Sequence, residues 1–166
     1  MARAYVKTHR HPLHKLERTQ VIQAPLPQTF DFFANASNLE VITPTFLNFQ
    51  IRSTLPIVMR TGTQIEYSLS LFHIPIHWRT RITEWTPGTR FIDEQERGPF
   101  SFWRHTHEFE SHGAATMVRD LVEYKEPLGL LGQAAHAIWV ERTLQKIFDF
   151  RHDQVRDLLE RSTSGP

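Results

Sequence analysis

Arg97-Gly98-Pro99-Phe100-Ser101-Phe102-Trp103-Arg104-His105-Thr106-His107-Glu108-Phe109-Glu110 opens with a turn and runs into a long strand-like segment. Successive strand residues point to opposite faces, so Trp103, His105, His107 and Phe109 share one side. Phe102, Arg104, Thr106 and Glu108 share the other. One face is aromatic and imidazole; the other is mostly polar. This is the pattern of a half-buried strand whose inner face meets something other than an aliphatic core. We read that face as the wall of a ligand cavity. The choice of inner face rests on aromatic content, and a one-residue bulge would reverse part of it.

The flanking segments keep the period of two. Downstream, Ser111-His112-Gly113 is a turn, and Thr116 to Tyr124 aligns Thr116, Val118, Asp120, Val122 and Tyr124 on one face. Upstream, Arg90 to Glu96 places Phe91, Asp93 and Gln95 together, after the turn Thr86-Pro87-Gly88-Thr89. Ile76 to Trp85 sets Trp78, Thr80 and Ile82 against Arg79 and Arg81, with Ile74-Pro75 as a tight connection before it. Thr63 to Leu71 turns Ile65, Tyr67, Leu69 and Leu71 inward. Phe46 to Ser53 is a further expected strand, and Leu16 to Ala24 is the first.

Helical signals bracket these strands. Pro27 suits the first turn of a short helix bearing Phe30, Phe33 and Ala34. Ser37-Asn38-Leu39-Glu40 has capping-box spacing, which predicts a second short helix starting at Ser37 and ending by Pro44. Lys125 to Gln133, with Pro127, Gly129 and Gly132, reads as a loop. Ala134 to Arg161 lacks Gly and Pro, and Ala137, Val140, Leu144, Ile147, Phe148, Val155, Leu158 and Leu159 recur at helical spacing. Such a helix spans about 40 Å at 1.5 Å per residue. The expected fold class is therefore α+β: about seven antiparallel strands curved around one long C-terminal helix, with two short helices after the first strand.

Composition narrows the function classes. The 166 residues suit one domain, and 40% apolar with 22% charged residues suffices for a core. Cysteine is absent, which excludes disulfides, a thiolate nucleophile and Cys-ligated metals. Met1 to Lys15 carries Arg3, Lys7, Arg10 and Lys15 without an acid, leaving 15 basic against 18 acidic residues in the rest. We therefore divide the chain into a basic, poorly ordered tail at 1–14 and a single domain at 15–162. The body is not basic, so no nucleic-acid partner is expected. No apolar run approaches the roughly 20 residues that cross a bilayer, and no secretory signal opens the chain. The expectation is a cytoplasmic protein without stable membrane insertion, its oligomeric state left open. Glycine-rich nucleotide loops and a Gly-x-Ser-x-Gly elbow are absent, so no cofactor is expected.

Several stretches in order resemble the START / polyketide-cyclase-like (SRPBCC) superfamily with its helix-grip fold. They are Ala24-Pro25 with Phe30 to Phe33, Asn38 to Pro44, Gly62 to Tyr67, Trp78 to Trp85, Phe91 to Gln95, Arg97 to Phe100, and Trp103, His105, His107 and Phe109. The resemblance covers Leu16 to Leu159. It implies a space between sheet and helix that holds a lipid, sterol, quinone or polyketide in carriers and enzymes alike. Fold alone does not choose between those activities.

His105 and His107 are the sharpest chemical feature. Four readings of the pair stay open: buried polar lining, acid–base catalysis with Asp120, metal ligation with Asp93 or Asp120 as third ligand, or exposure to solvent. The resemblance implies no metal, and none is expected. Asp93, Gln95 and Asp120 face inward and need partners if buried. Tyr67, Trp78, Phe91, Trp103, Phe109 and Tyr124 supply an aromatic lining. Arg151, beside the helix stripe, either snorkels to solvent or reaches inward toward an acidic ligand or Asp120. The first expectation is a binding protein for a hydrophobic or aromatic small molecule. The alternative is a cyclase or dehydratase using a His–Asp pair, with His105, His107 and Asp120 as catalytic candidates.

Overall fold

The computed structural model describes residues 13–71, 74–126 and 133–163. The basic tail expected at 1–14 therefore lies almost wholly outside the described residues, as does most of the loop expected at 125–133. Seven antiparallel strands form one sheet: β1 (His14–Ile22), β2 (Gln50–Ile51), β3 (Gln64–Leu71), β4 (Ile74–Thr86), β5 (Arg90–Arg97), β6 (Phe102–His112) and β7 (Ala115–Lys125). Their order is β1-β7-β6-β5-β4-β3-β2, so β2 to β7 meander and β1 closes beside β7. Helix α1 (Leu26–Ala34) is followed by a 3-10 turn at Ala36–Leu39, and the long helix α2 (Gln133–Thr163) ends the described chain. None of the described helices is long and apolar enough to cross a membrane.

Local chemistry explains the elements. Pro25 and Leu26-Pro27 stop β1 and start α1, with proline in the first turn, where its missing N–H costs nothing. Thr86-Pro87-Gly88-Thr89 closes with Thr89 N donating to Thr86 O at 3.1 Å. Gly88 sits at φ 74°, the left-handed position that a Pro-Gly turn of this kind demands. Register shifts between Arg79 and Thr80, and between Ile82 and Glu84, interrupt the β4–β5 ladder and bend the sheet. On β6 burial alternates from Phe102 to Phe109: Trp103, His105, His107 and Phe109 are buried, and their neighbours face out.

Three expectations need correction. Phe46 to Ser53 is not a strand: Thr45–Leu47 forms a 3-10 turn, and only Gln50–Ile51 joins the sheet. Asn48, left-handed at φ 44°, ends that turn and breaks the extended run that the alternation suggested. The second short helix does not start from a Ser37–Glu40 capping box. Asn35 lies two residues nearer the chain start and accepts the Ser37 N–H at 3.1 Å, while Glu40 instead accepts from Ile51 N at 2.9 Å. Ile74-Pro75 is not a connection but the beginning of β4, paired with Leu71 and Ser70 of β3.

Two apolar clusters hold α2 against the sheet. One gathers Ile22, Phe30, Phe91, Phe109 and Val118 around Val155 and Leu159. The other gathers Leu16, Trp78, Trp103, Val122 and Tyr124 around Val140, Leu144 and Phe148.

Candidate functional site

Between these clusters three adjacent strands place four ionisable side chains. Asp93 on β5 stands opposite His105 on β6, and His107 on β6 stands opposite Asp120 on β7. The same period of two turns both histidines inward. Their rings lie 3.7 Å apart between centroids. His105 Nε2 donates to Asp120 Oδ1 at 2.9 Å, and its Nδ1 is 3.7 Å from Asp93 Oδ2. His107 places Nε2 3.4 Å from Asp93 Oδ2 and Nδ1 2.7 Å from Asp120 Oδ1. The last contact is short but off the N–H axis, so it is electrostatic rather than a directed hydrogen bond. Asp93 also accepts from the Thr80 hydroxyl at 3.0 Å. Side-chain exposure is 5% and 7% for the histidines, 17% for Asp93 and 13% for Asp120.

Burial sets up opposing shifts. It raises the Asp120 carboxyl, but the charge and close approach of His107 and the hydrogen bond from His105 outweigh it and hold Asp120 far below the usual range. Asp93 is likewise pushed up by burial and brought down further by His107, His105 and Thr80. The histidines part company. Burial and the neighbouring His107 charge leave His105 below its ordinary value, despite Asp120. His107 overcomes its burial through Asp120 and Asp93 and is raised.

A cavity of about 450 Å³ lies between the sheet and α2, with Asp93, His105 and His107 in its wall and Asp120 behind them. Its size falls within the range of small-molecule sites. One end is an aromatic box. Tyr67 stacks on Trp78 at 5.8 Å, Trp78 meets Trp103 edge-on at 5.2 Å, Phe100 lies 4.9 Å from Trp103, and Phe49 covers Tyr67 at 4.9 Å. Phe91 stacks on His107 at 4.2 Å, and Phe148 meets His105 edge-on at 5.4 Å. Arg151 turns inward into the wall: its guanidinium sits 5.1 Å over the Phe148 ring, and its Nε is buried without a hydrogen-bond partner. Burial raises the Tyr67 hydroxyl well above the usual phenol range; the Asp93 charge adds to this and the Arg151 charge opposes it.

Eight of the side chains singled out from the sequence line this cavity: Tyr67, Trp78, Phe91, Asp93, Trp103, His105, His107 and Arg151. Four do not. The Gln95 amide is engaged with the Phe100 backbone and braces the turn before β6. Phe109 packs against Phe30 and Phe33. Tyr124 packs between His14 and Phe100. Asp120 touches the histidines from the far side. Sequence reasoning missed Phe33, Phe100, Glu126 and the helix residues Val140, Leu144, Ile147 and Phe148 as lining. The helix stripe was visible as periodicity; treating it as core concealed that the same face, carried on to Arg151, roofs a cavity.

No protein-family model matches the chain, and no curated protein matches it. Solved structures do. The chain is similar to the Zhui aromatase/cyclase from Streptomyces sp. R1128, at TM-score 0.74 and 13% identity over 92% of this chain and 96% of that one. It is similar to TTHA0849 from Thermus thermophilus, at TM-score 0.68 and 15% identity over 90% and 99% of the two chains. A third likeness is to Ara h 8.0201, at TM-score 0.58 and 16% identity over 87% and 98%. These likenesses establish the fold alone: a helix-grip arrangement, a curved seven-stranded antiparallel sheet around one long C-terminal helix.

Proposed function

We propose that this protein binds a hydrophobic, aromatic small molecule carrying an oxygen-bearing or anionic group, held between the sheet and α2. The observation that carries this reading is the distribution of orphaned polar atoms. Three buried side-chain atoms without a hydrogen-bond partner, Trp78 Nε1, Glu126 Oε1 and Arg151 Nε, belong to residues in the cavity wall. Buried polar atoms are costly unless paired, so such a concentration marks a place where an occupant supplies the partners. The aromatic box accommodates flat rings, while Arg151 and the Trp78 indole N–H face the occupant's oxygens.

The test is a titration of the protein with 1-naphthoic acid and with naphthalene, followed by tryptophan fluorescence. Naphthoic acid should bind more tightly, and Arg151→Leu should erase the difference. Equal binding of the two by the unaltered protein would contradict the anion preference. Binding of neither would contradict the cavity's role.

One observation favours a second reading, a cyclase or dehydratase. His105 presents Nδ1 toward Asp93 and the cavity while Asp120 holds Nε2, the arrangement of an oriented general base. On that reading His105→Ala and Asp120→Ala abolish turnover of a bound carbonyl compound and leave its binding intact. On the carrier reading the ligand leaves as it came.

A further inference from the structure

We propose that Asp93, His105 and His107 bind one divalent transition-metal ion of the zinc, cobalt or iron(II) class, open toward the cavity, with Asp120 orienting both histidines from behind. The inference does not depend on which organic molecule occupies the cavity.

The geometry separates the two carboxylates into different roles. Asp93 Oδ2 stands 3.7 Å from His105 Nδ1 and 3.4 Å from His107 Nε2. One ligand atom from each of the three residues lies within 4.8 Å of the others. Zn–N and Zn–O bonds of about 2.0–2.2 Å set tetrahedral ligand atoms about 3.3–3.6 Å apart. The Asp93–His107 separation falls within that spacing and the Asp93–His105 separation lies just beyond it, so an ion enters with side-chain adjustments of a few tenths of an ångström at those contacts. The opposite nitrogens, His105 Nε2 at 2.9 Å and His107 Nδ1 at 2.7 Å, both approach one oxygen, Asp120 Oδ1. Metal-ligating histidines commonly direct their second nitrogen to a carboxylate, which fixes the tautomer and ring orientation. Here a single carboxylate serves two rings.

Charge points the same way. Two ionised carboxylates stand against two imidazoles, and rings 3.7 Å apart oppose double protonation. With one imidazolium the cluster keeps a net charge of −1. A divalent cation bound to neutral imidazoles brings the four residues and the ion to zero, and leaves Arg151 uncompensated for an anionic occupant. Two imidazoles with one carboxylate suit zinc, cobalt, nickel and iron(II); calcium and magnesium prefer all-oxygen shells. Because the three ligands and not Asp120 lie in the cavity wall, the remaining coordination positions face the cavity. A metal-bound water or an oxygen of the occupant fits there.

The test is cobalt(II) titration of the full chain after chelator treatment, read by visible d–d absorption and by metal content after gel filtration. The expected result is one equivalent of cobalt, displaced by zinc. His105→Ala and Asp93→Asn should lower affinity more than about 100-fold, and Asp120→Asn should lower it about 10- to 100-fold while the stoichiometry stays at one. Asp93→Asn preserves shape, so with circular dichroism confirming its fold it keeps the test decisive if His105→Ala fails to fold. His9→Ala/His11→Ala, in the tail, should bind as the unaltered chain does. The proposal is overturned if folded Asp93→Asn binds cobalt as tightly as the unaltered chain, if the tail variant abolishes binding, or if no cobalt binds. A metal-free protein that still prefers naphthoic acid would leave the carrier reading standing. A protein that binds cobalt but no naphthoic acid would do the reverse.

Discussion

The two apolar clusters are built from the same sheet and helix and do different work. Around Val155 and Leu159, packing is closed: Ile22, Val118 and Val155 are essentially inaccessible, and of the nine buried residues there only Ile42 and Phe91 reach the cavity. Around Val140, Leu144 and Phe148, five of eight buried residues line it, among them Trp78 with its orphaned indole nitrogen, and Arg151 with an orphaned Nε joins them. The closed end is aliphatic and phenylalanine-rich, and the buried hydroxyls beside it, Thr29 and Thr116, are satisfied within the chain by the Ala24 carbonyl. The open end uses large rings that keep their shape when one side is unsupported. Burial pattern alone therefore does not separate core from cavity wall. The separation lies in whether buried polar atoms find partners within the chain.

Substitutions at the two ends should respond differently, and they fall in a clear order. Phe30→Ala, at the closed end, removes a ring packed on Trp85, Phe91 and Phe109 and should cost about 3–5 kcal/mol in urea denaturation, without altering naphthoic acid affinity in the folded fraction. Asp120→Ala, between the ends, strips both imidazoles of a common partner and should cost about 3 kcal/mol by the same measurement. Leu144→Ala, at the open end, enlarges a space that already exists; about 2 kcal/mol is expected, at the low end for such truncations, with a larger fractional change in ligand affinity. Trp78→Phe deletes an indole N–H with no partner in the chain and trims a ring packed on Tyr67, Phe100 and Trp103, so stability should fall by about 1 kcal/mol, while affinity for an oxygen-bearing ligand drops about fivefold in calorimetry, one hydrogen bond's worth. Arg79→Ala breaks an ion pair with Glu66 whose side chains are 41% and 49% exposed, so it should shift stability by less than about 1 kcal/mol.

Much of this was legible in the chain itself. The period of two grouped Trp103, His105, His107 and Phe109 on one face of β6; their aromatic content pointed to that face as the inner one, and their burial bears this out. The Gly- and Pro-free run from Ala134 announced α2 for an equally simple reason. Phe46 to Ser53 was misread because its alternation is real but short, and one left-handed Asn48 overrides it. Ser37 lost its capping role to Asn35, a competition between two good caps that spacing alone does not decide. At the site, residue types and face were readable, but the division of labour was not. Asp93 and Asp120 look equivalent in sequence. Only the register of β5, β6 and β7 puts one in the cavity wall and the other behind the histidines. Gln95 shares the face of Asp93, yet the turn at Phe100 claims its amide.

Whether the open end holds a small molecule decides between a binding domain and a mere scaffold. Native mass spectrometry of freshly purified protein, run beside Thr143→Trp, puts the question to the molecule itself. That substitution inserts a large ring from α2 into the cavity without removing a core side chain. The unaltered protein should carry or take up one equivalent of an aromatic ligand, released on denaturation, and the folded variant should carry none. Equal occupancy of the two proteins would contradict a binding role for the open end.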